Sequence, residues 1–422
     1  MKKLVVLLIV LLIPVLLIAA FTRSVRAAEN PPPVHHPSYQ EDVSASPQSC
    51  EDGYQDSGAV YRICMPPAGS WNGDLLVYAH GYMAFNRAVE IPEDQMVVPG
   101  TSTTIDQVAN MLGYGFATTS YYTNGLAVLP ALSDLVDLVD VFTGKEGEPD
   151  DVYLVGVSEG GLITTLSVEQ HPDVFDGGLA MCGPYGDFSG QVDHFGDFRV
   201  VFDYFFPGLM PEGPVDIPGW LVETWESEYY STTVQPVIKD ESNVGKVDQL
   251  LAVTGVSPYS YEPPTSTNVI ENLLWYNVFA TNDGKAKLGG QPFDNQDRLY
   301  SGADDDAQLN AGVERFSANP VALDQIAANY QTTGILTVPL VTLHTTGDPV
   351  VPYWHATRYR GKTIVADNIA LHEHIRVDRH GHCSFTADEV VGAFNRLVAM
   401  VENPPPYQPV KRVFLPVVAA ER

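Results

Sequence analysis

Residues Asp150–Leu166 read DDVYLVGVSEGGLITTL, and this stretch decides the fold. Val152 to Val155 is a short apolar run, rich in β-branched residues and without polar alternation. Such a run suits a strand buried on both faces, as in a parallel sheet. Gly156-Val157-Ser158-Glu159-Gly160 follows at once, and Gly161 to Gln170 is helix-like. Strand, G-x-S-x-G, helix is the setting of a nucleophile elbow. The turn is tight and strained, so small residues must flank the serine, and its Oγ is held out at the sheet edge. The helix N-terminus behind it aims N–H groups at any negative charge that develops there. The five-residue pattern alone is a weak signal in a glycine-rich chain. The flanking strand and helix make Ser158 the candidate nucleophile.

Strand–helix alternation continues on both sides of this unit. Cys50 to Met65 reads as one or two antiparallel strands, stopped by Pro66 and Pro67. Asp74 to Ala79, DLLVYA, is a buried strand that runs into His80-Gly81-Tyr82. Thr101 to Met111 has helical spacing, Gly115 to Tyr121 is a strand, and Leu126 to Phe142 is a helix with Asp134, Asp137 and Asp140 on one side. Gly177 to Cys182 is another strand. The pattern predicts a mostly parallel sheet with helices on both faces, an α/β class. It stops at Gly183. From there to about Thr333 the chain is rich in aromatic and turn residues, among them Phe202, Trp220, Trp225, Trp275 and Tyr276. The sheet resumes at Val338 to His344 and again near Glu373 to Val377. Thr386 to Glu402 is a final amphipathic helix, opened by a capping box of Thr386 with Glu389. Residues 183–333 therefore read as a large cap inserted between two strands. It should sit over the site, since ligands bind at the C-terminal strand edge in open α/β sheets.

The chain has 422 residues, 45% of them hydrophobic, as in an ordinary globular protein. Lys2 and Lys3 precede an apolar run from Leu4 to Phe21, and Val25-Arg26-Ala27 offers small residues for cleavage. Residues 1–27 read as a secretory signal peptide, with a retained membrane anchor as the other reading. Residues 28–48 form a flexible segment, and the core falls into two parts, 49–182 and 334–403. A Pro-rich tail, 404–422, ends in Val413–Val418, which reads as an edge strand or a cell-surface sorting tail. The expected address is secreted or cell-surface. Formal charge is -29, and becomes -33 once a leader with four basic and no acidic residues is removed. Such a surface repels nucleic acid and anionic membranes, so the membrane enters only through an uncleaved leader. In an exported chain, Cys50 and Cys64 are placed to close a short loop between neighbouring strands. The spacing of the four cysteines is not that of a zinc site.

A serine alcohol needs a base, and the base needs an orienting acid. The order expected in this setting is Ser, then Asp or Glu, then His. Thr345-Thr346-Gly347-Asp348-Pro349 follows the resumed strand, so Asp348 stands at a strand's C-terminal end. Asp187 is the reserve acid. The last strand leads into Asp378-Arg379-His380-Gly381-His382-Cys383-Ser384-Phe385-Thr386, whose two histidines face differently, so only one is the base. His80-Gly81, GVSEGG, TTGDPVVP and GHCSFT, taken together and in this order, resemble a secreted bacterial α/β-hydrolase of the serine esterase type. The resemblance covers residues from roughly 50 to 402. It implies an α/β-hydrolase fold, His382 as the base, and the N–H groups of Tyr82 and Glu159 as the oxyanion hole. Tannases and feruloyl esterases are similar in having Cys beside the catalytic His, but there a second Cys precedes the serine. Here that position is Val157. Cys383 is left to meet Cys182 or to pack as a free thiol.

The expected function is hydrolysis of a small-molecule or polymer ester through an acyl-enzyme, with no cofactor and no metal. Two alternatives stand beside it: an amidase or peptidase with the same three residues, and a binding protein on a hydrolase scaffold. Arg298 and Arg315 are the candidates for anchoring a charged substrate terminus. Asp304-Asp305-Asp306, with Asp294 and Asp297, reads as a solvated acidic loop rather than a calcium site. His372 and His374 alternate along a strand as polar-face residues, and His344 packs beneath the acid's loop.

Overall fold

A computed structural model of the chain describes residues 49–98, 101–211, 213–256 and 266–404. The apolar runs pair into one eight-stranded sheet: β1 (Ser49–Tyr54), β2 (Val60–Met65), β3 (Leu75–Ala79), β4 (Gly115–Thr119), β5 (Val152–Val157), β6 (Gly177–Met181), β7 (Leu340–Gly347) and β8 (His372–His380). Their spatial order is β1-β2-β4-β3-β5-β6-β7-β8. β2 runs antiparallel to β1 and β4, and every other neighbouring pair is parallel. This order, with the serine turn after β5, is the α/β-hydrolase fold.

Two-sided burial explains why the central strands carry no polar alternation. Leu75, Val77, Val152 and Leu154 face one apolar layer, beneath the helices Val128–Glu146 and Glu159–Gln170. Leu76, Tyr78, Tyr153 and Val155 face the other, beneath Ile105–Met111 and Ala387–Glu402. The last of these helices opens with the expected box: Glu389 N–H donates to Thr386 Oγ1, and Thr386 N–H donates to the Glu389 carboxylate. Chain order reverses at β3. From it the chain crosses to β4 on one side and returns to β5 on the other. The loops after β3 and β5 therefore open a crevice at the strands' C-terminal ends, where such sheets bind ligands.

Between β6 and β7 the described chain is helical, with an apolar core of its own that includes Phe198, Phe202, Trp225, Leu250 and Leu273. The two flanking strands differ from their expected bounds. β7 begins after Pro339 and continues to Gly347, and β8 runs from His372 to His380, because the two stay paired down to Gly347 and His380. His372 is buried and His374 half-buried on one face of β8. A helix, Trp354–Val365, covers that side of β8, and both imidazoles hydrogen-bond Thr342 Oγ1 at 2.9 Å. Burial lowers both, His372 to about 3 and His374 to about 4, so they are neutral there. Two disulfides are formed, Cys50–Cys64 across the β1–β2 pair and Cys182–Cys383. The leader, residues 28–48 and the Val413–Val418 segment lie outside the described residues. Among the described residues, no helix is long and apolar enough to cross a membrane.

Candidate active site

The turn after β5 holds Ser158 at φ 57°, ψ −120°, a conformation that L-residues rarely adopt. Two positions to either side of it the chain needs glycine. A Cβ on Gly160 would lie 2.0 Å from the Ala79 carbonyl oxygen, and one on Gly156 would lie 2.1 Å from that of Gly160. The helix thus starts directly against the end of β3, and Ser158 N–H donates to Met181 O of β6 at 2.9 Å.

Ser158 Oγ lies 2.9 Å from His382 Nε2, and His382 Nδ1 lies 2.8 Å from Asp348 Oδ2. The three side chains come from the loops after β5, β8 and β7. Asp348 has no exposed side-chain surface, while His382 is partly open to solvent. Asp348 Oδ1 accepts the N–H groups of Val350 and Val351 at 2.9 and 3.0 Å, which aims Oδ2 at the imidazole. The insertion braces the same loop: Gln191 Nε2 donates to Val350 O at 2.8 Å, and His194 Nε2 to Pro349 O at 2.9 Å. His344 is fully buried below. Its Nε2 donates to Val351 O at 2.8 Å and its Nδ1 accepts the Tyr185 hydroxyl at 3.1 Å. Burial lowers its pKa, so a neutral ring fills that space beside Asp348.

The other candidates fall in different places. His380 is exposed at the end of β8, opposite Gly347. Asp187 caps the helix Phe188–Phe205 by accepting from Gly190 N–H, and is also bound by Arg358 and Gln331. Arg298 is committed to Asp193 and Asp197, and Arg315 to the carbonyls of Asn295, Arg298 and Asn310. Asp305 and Asp306 accept backbone N–H groups around the start of the helix Asp306–Gly312. Among the described residues, the clusters with metal-ligand spacing are built on cysteines that the two disulfides use.

Tyr82 and Glu159 flank Ser158. Glu159 is the first residue of the helix after the serine, where backbone N–H groups lack intrahelical acceptors. The Tyr82 loop lies against the elbow, since a Cβ on Gly81 would stand 3.2 Å from Ser158 Cβ. The Tyr82 hydroxyl donates to Phe279 O at 3.0 Å, and its ring packs on Trp275 and Tyr276. This ties the loop to the insertion helix Ser266–Lys287.

Two cavities meet at the serine, and Ser158, Tyr82 and Tyr276 line both. One, about 140 Å³, reaches into the insertion between Phe188, Phe195 and Phe293. The other, about 410 Å³, runs between the sheet (Leu76, Val155, Leu179) and the helices carrying Val108 and Phe394. Sequence reasoning missed Tyr276, which the fold brings to Ser158. It also missed the Glu159 side chain, which is buried beside Ser158.

No family model and no curated protein matches the chain. It is similar to solved structures at low identity. An esterase of Pyrococcus furiosus aligns at 11% identity and TM-score 0.41, over 88% of this chain and 97% of that one. The rice cell wall degrading esterase LipA from Xanthomonas oryzae aligns at 13% identity and TM-score 0.43, over 84% and 89%. An acylaminoacyl peptidase of Pyrococcus horikoshii aligns at 10% identity and TM-score 0.40, over 86% of this chain and 42% of the other. The chain spans about two fifths of the length of the acylaminoacyl peptidases it matches.

Proposed function

We propose that the protein is an exported serine hydrolase that cleaves carboxylic esters through an acyl-enzyme. The observation that carries this is the unbroken Ser158–His382–Asp348 chain, at 2.9 and 2.8 Å, opening into two apolar cavities. His382 Nε2 takes the Ser158 proton as Oγ attacks the ester carbonyl, and returns it to the leaving alcohol. Asp348 holds Nδ1–H, selecting the tautomer and stabilising the imidazolium. The N–H groups of Tyr82 and Glu159 receive the oxyanion. Water, activated by the same imidazole, then releases the acid. An alcohol leaves more readily than an amine, and the cavities, lined by rings and aliphatic side chains, favour uncharged apolar groups. The leader and the acidic surface support an extracellular address.

Labelling by a fluorophosphonate, with the adduct mapped to Ser158, tests the nucleophile directly. Ser158→Ala should lower kcat by about 10⁴-fold or more. Retention of a tenth of the wild-type rate by clean protein would sink the proposal. A matched alkyl ester and alkyl amide separate esterase from amidase. The ester should be turned over at least about 10³-fold faster; equal rates would hand the reading to an amidase.

A further inference from the structure

The larger of the two cavities that meet at Ser158 is laid along one face of the sheet. Its floor is every second residue of three neighbouring strands: Leu76 and Tyr78 of β3, Val155 and Val157 of β5, Leu179 and Met181 of β6. Val108 and Val390, from the helices Ile105–Met111 and Ala387–Glu402, wall it above. The strand register pairs Tyr78 with Val155 and Leu76 with Tyr153. The floor thus runs back from Val157, beside the nucleophile, to the level of Tyr153, about 13 Å along the strand or about ten extended carbons. Val97 and Leu112, 41% and 50% exposed, stand at its rim.

The buried polar groups of this cavity are spent on the protein. The Tyr78 hydroxyl donates to Gln95 O at 3.0 Å, and Gln95 Oε1 accepts Gly81 N–H at 2.7 Å. Among the described residues, none that lines it holds a buried side-chain polar atom without a partner. It therefore offers apolar contact to an alkyl chain and no waiting hydrogen bond to a polar one.

The residues around Ser158 also give the cavity a side of the scissile bond. His382 and Cys383 line it and do not line the smaller cavity, whereas Glu159 lines only the smaller one. In ester cleavage the bond from the carbonyl carbon to the alcohol oxygen breaks, and that oxygen takes its proton from the imidazole Nε2. The alcohol oxygen must then stand beside His382, so its chain runs into the cavity that His382 lines. The acyl chain is left the smaller cavity, about 140 Å³ against about 410 Å³, between Phe188, Phe195 and Phe293.

We infer that the cavity along the sheet is the alcohol subsite, so that the preferred substrates join a short acid to an unbranched apolar alcohol of about six to ten carbons. The inference rests on the acyl-transfer reading above and names its substrate class. Each methylene that enters should raise kcat/KM by up to about fourfold, until the chain reaches the rim.

The test compares hexyl acetate with methyl heptanoate, isomers that carry the same carbons on opposite sides of the ester. Wild-type protein should favour hexyl acetate at least about tenfold in kcat/KM. Val390→Phe should lower the ratio of hexyl acetate to ethyl acetate turnover about tenfold or more. Leu112→Trp, at the exposed rim where folding is not at stake, should lower it about threefold. Equal rates on the two isomers, a preference for methyl heptanoate, or a ratio that survives both substitutions overturns the inference. A binding arm needs no turnover: 1-octanol should bind more tightly than 1-butanol by calorimetry, and Val390→Phe should remove the difference. Absence of that difference in wild-type protein overturns the inference even where esters are cleaved. A protein that shows it, yet neither labels at Ser158 nor cleaves esters, defeats the proposed function and leaves the chain site standing.

Discussion

Ser158 holds a strained backbone conformation in a turn that packs tightly because Gly156 and Gly160 carry no Cβ, and its Oγ lies 2.9 Å from one imidazole. The two histidines of the last loop can be told apart on that basis. His382 points between Ser158 and Asp348, whereas His380 is exposed at the strand end. His382→Ala should cost about 10⁴-fold in kcat, and His380→Ala less than about tenfold, measured on one p-nitrophenyl ester with folding checked by circular dichroism. Comparable losses in both would remove His382 as the base. The three side chains that meet here were legible because each follows a strand in a short local pattern. Tyr276 was not. It sits amid the aromatic and turn-rich residues of the insertion, and only the packing of that segment brings its side chain to Ser158. The Glu159 side chain was hidden differently: the motif position draws attention to its N–H, and burial of the carboxyl is a tertiary fact.

Among the elements, the joint between β6 and the loop after β8 stands out. Cys182 follows β6 and Cys383 follows His382, and their disulfide ties the histidine loop past β7 to the strand that accepts Ser158 N–H. Sequence left this pairing open, because the two cysteines are 201 residues apart and only the strand order brings them together. The Cys50–Cys64 bridge does a different task at the sheet edge, where β1 pairs with β2 alone. Replacing Cys182 and Cys383 by Ser should lower kcat at least about tenfold while far-UV circular dichroism stays native. Replacing Cys50 and Cys64 should leave kcat within about twofold and cost about 3 kcal/mol in denaturant unfolding, as closing a loop of that length implies. The reverse pattern would show that the inner bridge only staples the fold. Parallel strands read well from sequence because burial on both faces removes polar alternation. The insertion read poorly because its helices bury against one another, and no sheet fixes their order.

For the molecule as a whole, charge and architecture act at different ranges. A formal charge of -29 repels anions well before contact, and salt screens it over about 10 Å at 0.1 M. An ester with an anionic acyl group should therefore show a kcat/KM that rises about threefold or more between 10 and 300 mM salt, while its neutral isostere changes little. Identical salt responses would mean that the surface field does not reach the site. The Tyr82–Phe279 hydrogen bond carries a consequence for anyone who would redesign this protein. One insertion helix both walls the cavities, through Tyr276, and steadies the loop proposed to bind the oxyanion, through the Phe279 carbonyl. Under the proposed function, selectivity and turnover are thus not separable modules. Grafting a foreign insertion between β6 and β7 would swap the substrate range and unmoor the Tyr82 loop in one cut, so a working chimera has to carry its own partner for that hydroxyl.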